Sequence, residues 1–445
     1  MKPMPLSANW QHLLIESPAT VKLMLSRLQP IDVAEILATL NDDQLRPVLQ
    51  EVSVKELALL CEEWDVDTAW RVLSLLPQEW ISAIIRHMAS DDRADLLGAM
   101  PETTRETVLE ALAADASHIR ELLAYAAESS GGLMATEFLS VRPEWTSEQA
   151  LAVVRRGAQE AETAYYVYVT DQEQKLLGVL SLRELVLATP STKVKDIMRL
   201  EPITVHENAH QEVVADLFRR YHLFALPVVN DHNVLLGIVT ADDVLDVVDE
   251  EATEDMQKMS WMTPTEVPYL ETSVVTLAKQ RLPWLLVLML SATFTGKIIQ
   301  RFEYLLSHLV ALTIFIPMLM DNAGNAGSQS ATLIIRGLAL GEIRQNDWLR
   351  IMSNELRVSL IVGSALAVVN FLRVLLVEKT GTPIAIVVSL ALLATVILAK
   401  LVGSTLPLFA KLINVDPAIM AGPLITTVVD ALSLMIYFSL ARALL

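Results

Sequence analysis

PAIMAGPLITTVVDALSLMIYFSLA, residues 417–441, carries one charged side chain, Asp430, near the middle of twenty-five residues. As a helix this run is long enough to cross the roughly 30 Å of hydrocarbon in a bilayer. Working back along the chain, four more apolar runs precede it: Pro383–Ile413, Leu356–Val377, Tyr304–Met320 continuing polar-studded to Leu340, and Leu282–Gln300. Backbone in lipid must satisfy its own hydrogen bonds, and a helix does so within one segment. The expectation is a five-helix transmembrane domain over 282–445. Five crossings put its two ends on opposite sides, and with the N-terminal part inside, the inner flanks hold seven Lys and Arg against five outside.

Charge divides the chain at the same place. Residues 1–270 hold 44 Asp and Glu against 21 Lys and Arg, and residues 271–445 hold 9 against 13, which together give the net −19. A front half at −23 repels phosphates, so nucleic acid is not an expected partner; cations or basic partners are, or the charge simply solubilises. The single Cys61 excludes a disulfide framework and a thiolate metal cluster. The opening MKPMPLSANW has no basic stretch followed by an apolar run, so no cleaved leader is expected and the acidic part is read as cytosolic.

Within that part, LLGVLSLREL from Leu176 is answered 59 residues later by LLGIVTADDV from Leu235. A β-rich run precedes each copy, AYYVYVTD at 164–171 and FALPVVND at 224–231, and an amphipathic stretch with a double arginine precedes that. Strand, turn, strand, helix, twice over, resembles a tandem pair of α/β CBS domains. Upstream, residues 18–128 alternate apolar periods of helical spacing with short polar breaks such as NDDQ at 41–44 and SDDR at 90–93, which predicts a small α-helical solenoid. Ser90 followed by two aspartates reads as a helix start. Between Asp242 and Lys258 come eight acids and one base. A helix of that charge density repels itself unless cations gather on it.

PMLMDNAGNAGSQSATLIIRGLA at 317–339 and DPAIMAGPLITTVVDA at 416–431, with the order solenoid, CBS pair, acidic connector and five spans, resemble the MgtE family of Mg2+ channels over essentially the whole chain. The resemblance implies a multidomain protein: an N domain over 1–129, CBS domains over 130–197 and 198–252, a connecting plug helix over 253–281, and a pore domain over 282–445. It also implies a homodimer in the inner or plasma membrane that closes when cytosolic Mg2+ binds the acidic domains.

For the pore, an ionised carboxylate at membrane depth is costly unless it faces water, a cation or a partner, which makes Asp430 a functional candidate. Thr426, Thr427, Ser433 and Tyr437 lie at helical offsets that put them on its face. Mg2+ takes oxygen ligands and sheds water reluctantly, so a carboxylate with hydroxyl and carbonyl neighbours suits a hydrated ion. In the second span Asn325, Ser328 and Thr332 share a face, with Pro317, Gly324 and Gly327 as interruptions; Gly422 marks a break that turns carbonyls inward or merely kinks the helix. The resemblance implies that Asn325, Ser328 and Thr332 line the pore, although Ser328 stands where an Asn is usual. The competing structural role for Asp430 is a bridge to Lys400, the only other charge deep in a span.

For the sensor, the resemblance implies carboxylates bridged by Mg2+: Asp92 and Asp95 in the solenoid, Glu212 in the CBS pair, Asp243, Asp246, Glu251, Glu254 and Asp255 in the acidic stretch, and Asp416 at the cytosolic mouth. His210 and His222 stand where acids are frequent. CBS clefts also hold adenine nucleotides. Ser181, Arg183 and Glu184 have the spacing for ribose, and Tyr166 for stacking on a base, which makes ATP a candidate ligand. No Gly-rich phosphate loop, HExxH or Ser/His/Asp frame is present, so no enzyme is expected. The alternative transport reading is a counter-ion-coupled secondary transporter of Mg2+, Co2+ or another divalent cation. A third is a membrane-anchored nucleotide sensor that transports nothing.

Overall fold

The computed structural model of the protein describes residues 7–112, 116–265, 269–270 and 272–445. The first six residues, part of the stretch read as having no leader, lie outside the described residues. The chain forms two compact units, Met1–Val248 and Asp249–Leu445.

The first unit begins as a stack of short helices from Ser7–Glu16 to Ala116–Leu122. The polar breaks set their length. Asn41 with Gln44, and Ser53 with Glu56, close capping boxes in which each side chain accepts the other's backbone N–H. Helices two apart in sequence pack together, so Val33, Leu37, Leu57, Leu73, Ile84, Leu97 and Val108 join one continuous core. Long polar side chains tie the layers where helix ends leave carbonyls without partners. The Trp64 indole donates to the Ala34 carbonyl at 2.8 Å and Arg71 to that of Ala38 at 3.0 Å.

The helix foreseen at 90–93 is present as Ser90–Ala99 (α1), but Ser90 does not cap it. Its hydroxyl is buried and accepts the Thr136 N–H instead, while Glu62 accepts from Ala89 N–H and Glu137 from Ser90 N–H. Tertiary carboxylates thus supply what a local cap would have done.

The repeat forms two small sheets. In the first, β1 (Ser140–Val141) runs parallel to β2 (Tyr166–Thr170), followed antiparallel by β3 (Leu176–Ser181) and β4 (Arg199–Leu200). In the second, β5 (Val205–His206) runs parallel to β6 (Ala225–Val229), with β7 (Leu235–Thr240) antiparallel beyond it. After β7 the helix Ala241–Met259 (α2) carries the acidic stretch.

The second unit is helical. Its long helices are Val274–Arg301 (α3), Ile316–Ala339 (α4), Trp348–Arg373 (α5), Thr382–Leu412 (α6) and Gly422–Leu444 (α7). Among the described residues four segments are long and apolar enough to cross a membrane: Val274–Arg301, Trp348–Glu378, Thr382–Leu412 and Pro417–Leu444. The polar-studded α4 is the one that fails that test, although it is 24 residues long.

Three expectations need correction here. The stretch from Tyr304 is not one helix with α4: a short helix, Glu303–His308, and a 3-10 turn, Val310–Phe315, come first. Pro317 then sits in the first turn of α4, where its missing N–H costs nothing, and Gly324 and Gly327 do not interrupt the helix. No single helix covers 253–281 either, since α2 stops at Met259 and α3 starts at Val274.

The glycines serve contact between helices. A Cβ on Gly403 of α6 would lie 2.2 Å from the Gly327 carbonyl oxygen of α4, so here two backbones touch directly. One on Gly324 would meet the Thr426 side chain of α7 at 2.8 Å.

Candidate functional site

In the first unit, α1 carries Asp91, Asp92 and Asp95, and Asp92 lines a cleft of about 880 Å3. Asp92, Asp242, Asp243 and Asp246 line it, as do Glu62, Glu137 and Glu162, with Lys55, Arg86 and Arg93 as the basic members. Burial and like charge raise these carboxyls: Asp91 to about 9 and Asp92 to about 8, burial being the larger cause in each. Glu162 and Asp95 keep solvent contact and rise less, to about 7 and about 6, with Asp243 adding its field to both. Asp243 is itself raised by burial, against the Thr240 N–H and hydroxyl that donate to it at 3.2 and 2.6 Å. Asp91 Oδ1 is buried without a hydrogen-bond partner among the described residues.

The sequence singled out Asp92, Asp95, Asp243 and Asp246, and the fold brings them together. It adds Asp91, Glu62, Glu137 and Glu162. Asp91 was legible as the neighbour of Asp92; Glu162 lies in a loop and gave no signal. Glu212 is exposed at the start of the helix Gln211–Tyr221, its N–H on His210 Nδ1, and does not line the cleft. His210 pairs with Glu128, and His222 ends that helix in a left-handed conformation. Among the described residues no three His, Cys, Asp or Glu side chains converge closely enough to hold one metal ion.

On the CBS pair, Ser181 and Glu184 close a capping box at the helix Leu182–Leu187, and Arg199 reaches Glu184 at 3.4 Å. Arg183 is exposed. Tyr166 pairs across the strands with Ser181. The exposed aromatic surface belongs to its neighbour Tyr165, stacked on Phe224 at 5.8 Å between centroids.

In the second unit Lys258, at the end of α2, bridges Glu254 at 2.7 Å and Asp416 at 2.8 Å. Burial alone would lower the ammonium, but its two carboxylate bonds hold it above the ordinary lysine value. Glu251 and Asp255 lie on the same helix. The Trp261 indole donates to the Ile419 carbonyl at 2.8 Å. Gly422, with φ +42°, lies so close to Met259 that a Cβ would sit 2.7 Å from its carbonyl oxygen.

On α7, Thr426 and Thr427 each donate to the Pro423 carbonyl at 2.9 Å, which leaves their oxygen lone pairs free to accept. Asp430 is half-buried, and its Oδ1 has no hydrogen-bond partner among the described residues. The expected company of Ser433 and Tyr437 is corrected: both are fully buried, Ser433 bonding Val429 and Tyr437 satisfying the Leu312 carbonyl in the 3-10 turn. Opposite, α4 leaves Asp321, Asn325, Gln329 and Thr332 exposed along one face, with Ser328 half-buried beside them. Asp321, unremarked within its motif, acts electrostatically on Asp430. Lys400 makes no ion pair with Asp430; it turns to Ser330.

Sequence comparison bears on what this arrangement is for. Residues 316–440 match the family described as "Divalent cation transporter", residues 28–128 the "MgtE intracellular N domain", and residues 130–190 and 194–250 the CBS domain. A magnesium transporter MgtE of Thermus thermophilus is 36% identical over 93% of this chain and 98% of its own. The chain belongs to the MgtE family. A second MgtE magnesium transporter, from Bacillus subtilis, is 34% identical over 94% of this chain and 93% of its own. A solved cytosolic domain of the Mg2+ channel MgtE in complex with ATP superposes with a TM-score of 0.51 at 32% identity, covering 55% of this chain and all of that one. The MgtE family transports magnesium and is not a family of enzymes. The helical N domain, the CBS pair and the apolar C-terminal helices of this chain are those of the family.

Proposed function

We propose that the chain is a homodimeric, Mg2+-gated Mg2+ channel of the inner or plasma membrane, with all five long helices spanning and residues before α3 in the cytosol. The observation that carries the reading is the polar face of α4. Asp321, Asn325, Gln329 and Thr332 are open to the surroundings on a helix packed among apolar ones, and lipid cannot cover them. Water, ions or a second copy must. Asp430, with its unpaired oxygen, would then serve as the selectivity carboxylate, flanked by Thr426, Asn325, Ser328, Thr332 and the backbone at Gly422.

In the cleft, separate carboxylates suit a Mg2+ ion that keeps most of its water and takes one or two protein oxygens. Asp92, Asp95, Asp243 and Asp246, with Asp91 and Glu162, would repel one another when ionised and draw together when divalent cations screen them. Glu212, Glu251, Glu254, Asp255 and Asp416 stand as further sensor carboxylates, Glu254 and Asp416 by releasing Lys258. ATP, which the related cytosolic domain binds, would take the CBS cleft beside Ser181, Arg183 and Glu184. Tyr165 and Phe224, rather than Tyr166, offer the exposed rings.

Reconstituted protein in liposomes tests the channel reading. Unitary currents that vanish in Asp430→Ala support it, whereas saturable, counter-ion-dependent uptake without unitary events replaces it with a carrier. Removing residues before Val275 should keep flux and abolish inhibition by internal Mg2+.

A further inference from the structure

Lys400 was the obvious partner for Asp430 and is not used as such. It lies in the middle of α6 and is only 5% exposed, a lysine at a depth where an unpaired ammonium is costly. Its Nζ approaches Ser330 Oγ of α4 at 3.4 Å, and that hydroxyl, 1% exposed, donates to Glu355 Oε2 of α5 at 2.6 Å. One serine therefore relays between a cation on α6 and an anion on α5.

The register that brings them together is set by the glycines. Gly327 of α4 touches Gly403 of α6; three residues further along α4 comes Ser330, and three residues back along α6 comes Lys400. A Cβ on Gly327 would also lie 3.2 Å from the carbonyl oxygen of Ala399, the residue before Lys400, so the close approach of the two backbones extends to the level from which Lys400 reaches Ser330. At 100° per residue, Ser330 lies about 140–160° around α4 from Asn325, Ser328 and Thr332, on the opposite side of the helix. The relay thus grips α4 from behind while its front presents the polar face.

We propose that Lys400, Ser330 and Glu355 are positioning residues for ion passage: a charge-compensated clamp that fixes the rotation of α4 and hence where Asn325, Ser328 and Thr332 stand. This rests on the reading of that face as the ion path. The clamp works only as a set, because each charge is compensated through the shared hydroxyl. Removing the hydroxyl leaves the buried Lys400 ammonium and the half-buried Glu355 carboxylate free to re-aim, and α4 turns with them.

The test is uptake of Mg2+ and Co2+ into liposomes holding the full-length chain, for wild type, Ser330→Ala, Lys400→Met, Glu355→Gln and Asp430→Ala, each matched for folded yield and melting temperature. A displaced polar face changes which ion fits. The Mg2+/Co2+ uptake ratio, or the half-saturating Mg2+ concentration, is expected to shift about three- to tenfold in Ser330→Ala and in whichever charge variants fold. A purely structural role would lower only the amount of active protein, leaving ratio and half-saturation as in wild type. That result in folded Ser330→Ala overturns the clamp, even if Lys400→Met fails to fold. Undiminished uptake by Asp430→Ala would overturn the pore reading and the clamp with it; loss of uptake there with an unmoved ratio in Ser330→Ala overturns the clamp alone.

Discussion

Nine carboxylates line one cleft in the N-terminal unit, whereas in the C-terminal unit Asp430 has the field of Asp321 and little else. In the proposed sensor the cleft acids overlap in function because Asp91, Asp92 and Glu162 each feel several others, so the loss of one leaves most of the repulsion in place. Asp430 has no such reserve. On the proposed function, the contrast separates a graded device, sensitive to total charge, from a site that depends on one group.

Neutralising Asp430 should therefore give the largest effect. Asp430→Ala is expected to cut Mg2+ uptake on the order of a hundredfold, the worth of a charged contact of about 3 kcal/mol, read by dye flux in liposomes. Gly403→Ala comes next: a methyl driven against the Gly327 carbonyl should destabilise the helix bundle by about 1–3 kcal/mol, read as a lower melting temperature in detergent.

Next is pH. The folded carboxyls of Asp91 and Asp92 titrate at about 9 and about 8, far above an unfolded aspartate near 4. Their contribution is present below about pH 4 and lost as pH rises toward 9. Without divalent ions, the N-terminal unit of the full chain should become more protease-sensitive from pH 6 to 9, and Mg2+ should reverse the change. The smallest effect belongs to one cleft acid. Asp246→Asn should move the inhibitory Mg2+ concentration by less than about threefold, whereas Asp92→Asn with Asp243→Asn should move it more. A single neutralisation as severe as Asp430→Ala would erase the contrast.

The helical solenoid, the two strand-turn-strand-helix copies and the apolar helices were legible because each rests on a local period that neighbours in sequence share. Pair partners were not. The helix offsets around Asp430 placed Ser433 and Tyr437 with it, but Tyr437 is consumed by a carbonyl that a 3-10 turn leaves unbonded, 125 residues away. The spacing after Ser90 marked a helix start, yet Glu62 and Glu137 do the capping from other elements.

By itself the amino-acid sequence determined which segments are helix or strand, which can enter lipid and where negative charge accumulates, since period, length and composition act within a few turns of chain. Only the tertiary structure decided that Glu162 joins Asp91 and Asp243, that Glu212 stands apart, and that Lys400 answers Glu355 through Ser330 rather than Asp430. Those choices depend on which helix backbones approach closely enough to touch, and a linear pattern does not carry that information.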